Sequence, residues 1–95
     1  MPQVLMPARS NEDVRRFVYE AVRVLVDRPD DIVIEEYATT DAMRIQVKVH
    51  PSDFGKLIGQ GGKNVNALRL LITAACSRLR IRYVLEVIDV PRPHS

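Results

Sequence analysis

The chain has 95 residues, 46% apolar and 27% charged, with a formal net charge of +2, which fits one soluble domain and excludes a second core or a large enclosed catalytic pocket. Its single cysteine, Cys76, excludes an internal disulfide and falls in a helical apolar pattern that reads as core packing. No run approaches the roughly 18 apolar residues of a membrane span, and Val4 to Met6 between Pro2 and Pro7 is too short for a signal-peptide core, so the expected location is cytoplasmic.

Residues 1–9, with Pro2 and Pro7, read as a flexible N-terminal tail, residues 10–90 as one folded domain and residues 91–95 as a flexible C-terminal tail. Ser10 followed by Asn11, Glu12 and Asp13 is an N-cap with acids in the first turn, where the helix dipole favours them. Val14, Phe17, Val18, Ala21, Val22 and Leu25 then recur at helical spacing. This predicts a helix ending near Asp27, because Arg28 precedes Pro29. Pro29-Asp30-Asp31 is a turn, and Ile32 to Thr39 is a strand broken by Thr40-Asp41. Met43, Ile45, Val47 and Val49 alternate with Arg44, Gln46, Lys48 and His50, the period of two of a half-buried strand. These two strands form an antiparallel hairpin.

Pro51-Ser52-Asp53 signals a helix start with Ser52 as its cap. Asp53 reads as a first-turn acid. The short helix that follows buries Phe54, Leu57 and Ile58 and ends at Gly59. A longer helix begins near Lys63, with an inner stripe of Val65, Leu68, Leu71 or Ile72, Ala75 and Leu79. Arg80 and Arg82 then alternate with Ile81, Tyr83, Leu85 and Val87 in a last strand. The order is α-β-β-α-α-β, an α+β fold. A two-helix crossover makes the second and third strands parallel, giving a three-stranded mixed sheet with three helices packed on one face.

All four glycines, Gly55, Gly59, Gly61 and Gly62, fall within eight residues, flanked by Lys56 and Lys63. Glycine is costly wherever a chain must be ordered, so this turn implies a close approach to backbone. Charge points the same way. Residues 1–41 carry five basic and nine acidic side chains, whereas residues 42–85 carry eight basic ones against the single acid Asp53. That asymmetry is the footprint of a polyanion-binding surface, or of an ordinary solvated basic face.

Three phosphate-binding patterns can be tried on the turn. A nucleoside-triphosphate loop requires Gly, four residues, then Gly-Lys-Ser/Thr. Here Gly62-Lys63 is followed by Asn64, and Leu57 stands where the first glycine belongs. A dinucleotide fingerprint requires G-x-G-x-x-G directly after a strand, but Gly59-Gln60-Gly61-Gly62-Lys63-Asn64 lies between helices and ends in Asn64. The third pattern, G-x-x-G joining two helices with Ile58 before and Val65 after, makes joint physical sense. It exposes backbone at a helix N-terminus, where the dipole and unpaired N–H groups favour phosphate.

On these residues the chain resembles the KH domain, whose G-x-x-G loop clamps the backbone of about four nucleotides. The α-β-β-α-α-β order is that of the type II KH fold. Gly55-Lys56-Leu57-Ile58-Gly59-Gln60-Gly61-Gly62-Lys63, followed by Ala67-Leu68-Arg69 and the Val87-Ile88-Asp89 ending, is similar to the small stand-alone bacterial KH proteins of the KhpA (YlqC) group. The resemblance implies a non-enzymatic protein that binds single-stranded RNA, as an RNA chaperone or a post-transcriptional or ribosome-related regulator. It also implies a homodimer or a pairing with a second KH-containing protein. Family members usually carry a basic residue at a middle loop position. Gln60 and Gly61 are uncharged, which implies weaker phosphate capture and leaves Lys56 and Lys63 to supply charge from the flanks.

Gly59, Gln60, Gly61 and Gly62 are thus the candidate clamp, with Lys56 and Lys63 as phosphate partners. Arg69 faces either the groove or water. Ile58 and Val65 either floor the groove or belong to the core. Arg44, Lys48 and Arg82 are expected on the open sheet face, away from the loop. His50 and His94 are too isolated for a metal or a triad, no cofactor is implied, and the aromatics are too few for an RRM-like stacking platform. The rival function is a protein-interaction module that presents the open sheet face or the first helix.

Overall fold

The computed structural model describes residues 11–77 and 79–89; the Ser10 cap, the two tails and Arg78 lie outside them. The first helix, α1 (Asn11–Arg23), carries Glu12 and Asp13 in its first turn and Arg23 in its last, as the helix dipole favours. Val14, Val18 and Val22 bury its inner stripe completely. The helix stops four residues before the expected Asp27. In a continuing helix the Asp27 N–H would return to the carbonyl four residues earlier. Instead the Asp27 and Arg28 N–H groups donate to the Asp53 carboxylate at 3.2 and 3.0 Å. A partner 26 residues away decides where this helix ends.

After a 3₁₀ turn at Pro29–Asp31, β1 (Val33–Ala38) and β2 (Met43–Lys48) pair antiparallel in the register Val33↔Lys48 to Ala38↔Met43. The short link is tied by the Thr39 N–H and hydroxyl, which both donate to the Ala42 carbonyl. Alternation along β2 is as expected: Ile45, Val47 and Val49 are buried and Arg44, Gln46 and Lys48 lie on the other face. A second 3₁₀ turn, Pro51–Asp53, leads into α2 (Phe54–Ile58), and α3 (Lys63–Ala75) runs back to β3 (Tyr83–Val87). β3 pairs parallel with β2 from Met43↔Tyr83 to Val47↔Val87, so the sheet order is β1-β2-β3.

The core joins one face of this sheet to the helices. Ile45, Val47 and Leu85 meet Val14, Val18 and Val22 of α1, Leu57 of α2, and Val65, Leu68, Ile72 and Cys76 of α3 and its end. Burying each large aliphatic side chain contributes roughly 1.5–3 kcal/mol. Of the two alternatives for the α3 stripe, Ile72 is buried and Leu71 is exposed. Burial pushes the Cys76 thiol up to about 11, so it is an inert core group. Arg15 pairs with Glu36 at 3.3 Å and pins α1 to β1.

Two local readings are corrected. The cap of the turn at Pro51 is His50, whose Nδ1 accepts from the Ser52 N–H at 3.0 Å; Ser52 is inside the turn. The last strand starts at Tyr83 and not at Arg80, because Arg80 has φ 54° in the left-handed region and Ile81 is 44% exposed. Arg82 therefore precedes β3 and does not share its alternation.

Candidate nucleic-acid interface

The corner between α2 and α3 is made by backbone. The Gly59 N–H closes α2 on the Gly55 carbonyl at 2.8 Å, and Gly59 then adopts φ 79°, ψ 165°. A Cβ at this position would lie 2.8 Å from both the backbone nitrogen and the Cγ of Asn64, so position 59 admits only glycine. Gln60–Gly62 form a 3₁₀ turn with a Gly62 N–H to Gly59 carbonyl bond of 3.1 Å. Gly61, at φ 65°, has open space where a side chain would project. Gly62, at φ 81°, is the residue before α3, and no side chain caps that helix. Gln60 and Gly61 are exposed at the tip.

Gly59→Ala should be costly. It combines a left-handed φ with a clash against backbone, and strain of this kind costs about 1–3 kcal/mol. The expected result is a fall in melting temperature of roughly 4–20 °C for a domain this size, read by thermal circular dichroism.

The two lysines beside the turn differ. Lys63 opens α3, is exposed and has no ion pair among the described residues. The ammonium of Lys56 is engaged by Asp27, and by Asp53 at 3.5 Å. Asp27 first and Asp53 second hold its pKa above the ordinary lysine value. Asp53 is fully buried. Burial would push its carboxyl up, but the N–H donors of Asp27 and Arg28 and the Lys56 ammonium outweigh that and hold it below its ordinary value. It is a first-turn acid, as expected, and also a buried node joining the linker after α1 to α2. Arg69 is exposed and donates to Asn66 at 3.3 Å. Ile58 is half-buried, and Val65, 5% exposed, belongs to the core.

Of the four other described basic residues of this half, Arg44 and Lys48 are neutralised. On the open sheet face Glu86 accepts from the Tyr37 hydroxyl at 2.9 Å, the Gln46 amide at 3.3 Å and Arg44 at 3.1 Å, which holds its carboxyl below the ordinary value. Lys48 pairs with Glu35 at 3.3 Å. Arg80 and Arg82 are exposed and, like Lys63 and Arg69, carry no ion pair among the described residues. Uncompensated positive charge therefore follows α3 from the loop to the start of β3.

Asn64 escapes a reading from pattern. Its Nδ2 donates to the Lys56 carbonyl at 2.8 Å, across the turn. The one available signal is an asparagine two residues after the last glycine of the turn, in the first turn of a helix, where local side-chain hydrogen bonding is common. Among the described residues no group of three or more His, Cys, Asp or Glu side chains could hold a metal ion, and no helix is long and apolar enough to cross a membrane.

A mixed sheet in α-β-β-α-α-β order, with a glycine turn exposed between the two crossover helices, defines a KH domain of type II. The model of the KH domain of KhpA and KhpB matches residues 15–87, and the chain belongs to that family. Relatives named RNA-binding protein KhpA include that of Halalkalibacterium halodurans, 36% identical over 80% of this chain and all of the relative. That of Chlamydia pneumoniae is 32% identical over 80% of this chain and 97% of the relative. A shorter match, to Mycobacterium tuberculosis, is 39% identical over 64% of this chain and 76% of the relative. No solved structure gives a significant match.

Proposed function

We propose that this protein is a non-enzymatic, cytoplasmic RNA-binding protein that grips single-stranded RNA through the Gly59–Gly62 turn. The observation that carries the reading is the turn itself: glycine backbone at positive φ, exposed at the uncapped start of α3. Phosphates run along the turn and the first N–H groups of α3, where partial positive charge accumulates. Lys63 and Arg69 supply mobile charge beside it. Lys56 contributes through the shape of α2, and to phosphate directly only by exchanging Asp27 for it. Ile58 borders the groove on which bases lie. With few specific base-reading groups, recognition is sequence-tolerant, as suits an RNA chaperone or post-transcriptional regulator. The relatives' name, RNA-binding protein KhpA, supports the same substrate.

Binding to a labelled single-stranded RNA should weaken with salt. If three or four phosphates are engaged, the slope of log affinity against log salt is roughly −2 to −3. A slope near zero in a fluorescence-anisotropy titration would remove the electrostatic clamp.

A second reading, a protein-docking module that pairs with another copy or another KH-containing chain, has one observation in its favour. Ala67, Leu70, Leu71 and Ala74 form a stripe at helical spacing on the outside of α3, with Leu70 72% and Leu71 48% exposed. RNA retention insensitive to salt, with a partner complex that survives changes in the loop, would favour this reading.

A further inference from the structure

We propose that Asn64 is the positioning residue of the clamp: its side chain fixes the corner between α2 and α3 so that the glycine backbone is aimed before RNA arrives. The inference rests on the clamp reading above.

Three observations converge on it. First, Asn64 fills the space that a side chain at position 59 would need; a Cβ there would lie 2.8 Å from its Cγ and 3.0 Å from its Cβ. Gly59 and Asn64 are thus a fitted pair across the turn. Second, α2 ends so abruptly that its last carbonyls lose their helical donors. The Lys56 carbonyl recovers one from Asn64 Nδ2 at 2.8 Å. Third, the residues that precede α2, the turn and α3 make no side-chain capping bond to them. Among the described residues, the other hydrogen bonds across the corner are from backbone: Gly59 N–H to Gly55, Gly62 N–H to Gly59 and Lys63 N–H to Gln60.

The anchor point matters as well. Lys56 is tied by its ammonium to Asp27 and to the buried Asp53. By bonding to the carbonyl of that residue, Asn64 ties the start of α3 to a residue of α2 already held by Asp27 and Asp53. Glycines at 61 and 62 are otherwise free to sample many conformations. A turn held in one of them avoids an ordering cost on binding. This gives the uncharged loop centre, Gln60 and Gly61, a way to bind phosphate through geometry.

The test compares Asn64→Leu, which keeps similar bulk without the donor, and Asn64→Ala with Val22→Ala, a core change on α1 with no part in the loop. A fluorescently labelled single-stranded RNA decamer is titrated at several salt concentrations, at a temperature where all the variants used are folded by circular dichroism. Losing one hydrogen bond of ordinary net strength predicts that both Asn64 variants bind roughly three- to tenfold more weakly. Their salt slope should also become shallower by about 0.7, one phosphate for single-stranded nucleic acid. Val22→Ala should leave affinity and slope unchanged even where its melting temperature falls as far. Asn64 variants that match Val22→Ala in both affinity and slope overturn the inference. The Gln60→Asp/Gly61→Asp protein is titrated alongside. If it loses RNA while the Asn64 variants do not, only the role of Asn64 falls; if it binds normally, the clamp itself is wrong.

Discussion

Gln60→Asp combined with Gly61→Asp is expected to reduce affinity for single-stranded RNA by roughly a hundredfold or more while the protein stays folded. Two carboxylates at the tip stand where phosphates are proposed to lie. At about 5 Å and an effective dielectric near 20, each like-charge contact is worth on the order of 3 kcal/mol before salt screening. Even half of that for each contact exceeds a hundredfold. The fold has little reason to respond. Gln60 is exposed, and a Cβ on Gly61 meets nothing within 4 Å. Aspartate enters the left-handed region more readily than most residues, and the strain at φ 65° is about 1 kcal/mol. Melting temperature should fall by roughly 4–8 °C. Anisotropy titrations and thermal circular dichroism on the same preparation measure both quantities, and unchanged affinity would refute the clamp.

The second large effect is expected at Asp53. Asp53→Asn keeps the shape of the side chain but removes the charge facing Lys56, and its NH2 group must oppose either the Lys56 ammonium or the Asp27 and Arg28 N–H groups, which share Oδ2. Disrupting a buried charged partner of this kind lowers melting temperature by on the order of 10 °C or more in a small domain. The pH dependence identifies the cause. The folded carboxyl sits below its ordinary value of 3.8, so the unfolded chain takes up the proton first as pH falls. Its contribution is complete above that value and is lost as pH drops through the folded pKa. Wild-type stability should therefore fall more steeply below pH 4 than that of Asp53→Asn. Parallel acid limbs in urea melts from pH 6 to pH 2 would show that Asp53 is not the node described.

What could be read in advance was whatever the chain encodes locally. Met43 to Val49 announces its strand by alternation, and Val14, Val18 and Val22 announce the inner face of α1. Four glycines between two apolar segments locate the turn. What escaped depends on partners far along the chain. The end of α1 is decided by Asp53. Lys56 looks like a free cation in GKLIG until Asp27, 29 residues away, takes its ammonium. Arg80 looks like part of an alternating strand, yet its left-handed backbone delays β3 to Tyr83. Asn64 has no pattern at all, because its role is a single hydrogen bond across a turn whose shape must be known first. The location of the candidate site was legible, but which of its charges are already paired was not.

The parallel pairing of β2 with β3 sets the order in which the molecule is assembled. The β1–β2 hairpin closes over a four-residue link, whereas β3 joins β2 only after the whole of α2, the turn and α3 has been bridged. Long-range closure of this kind carries the larger entropy cost and comes late. Leu85 of β3 shares the core with Leu68 and Ile72 of α3, so α3 has its full packing only once β3 docks. On a ribosome the hairpin emerges well before β3. The bonds of the glycine turn are local and can form early, but the helix behind it gains its full support among the last events of folding.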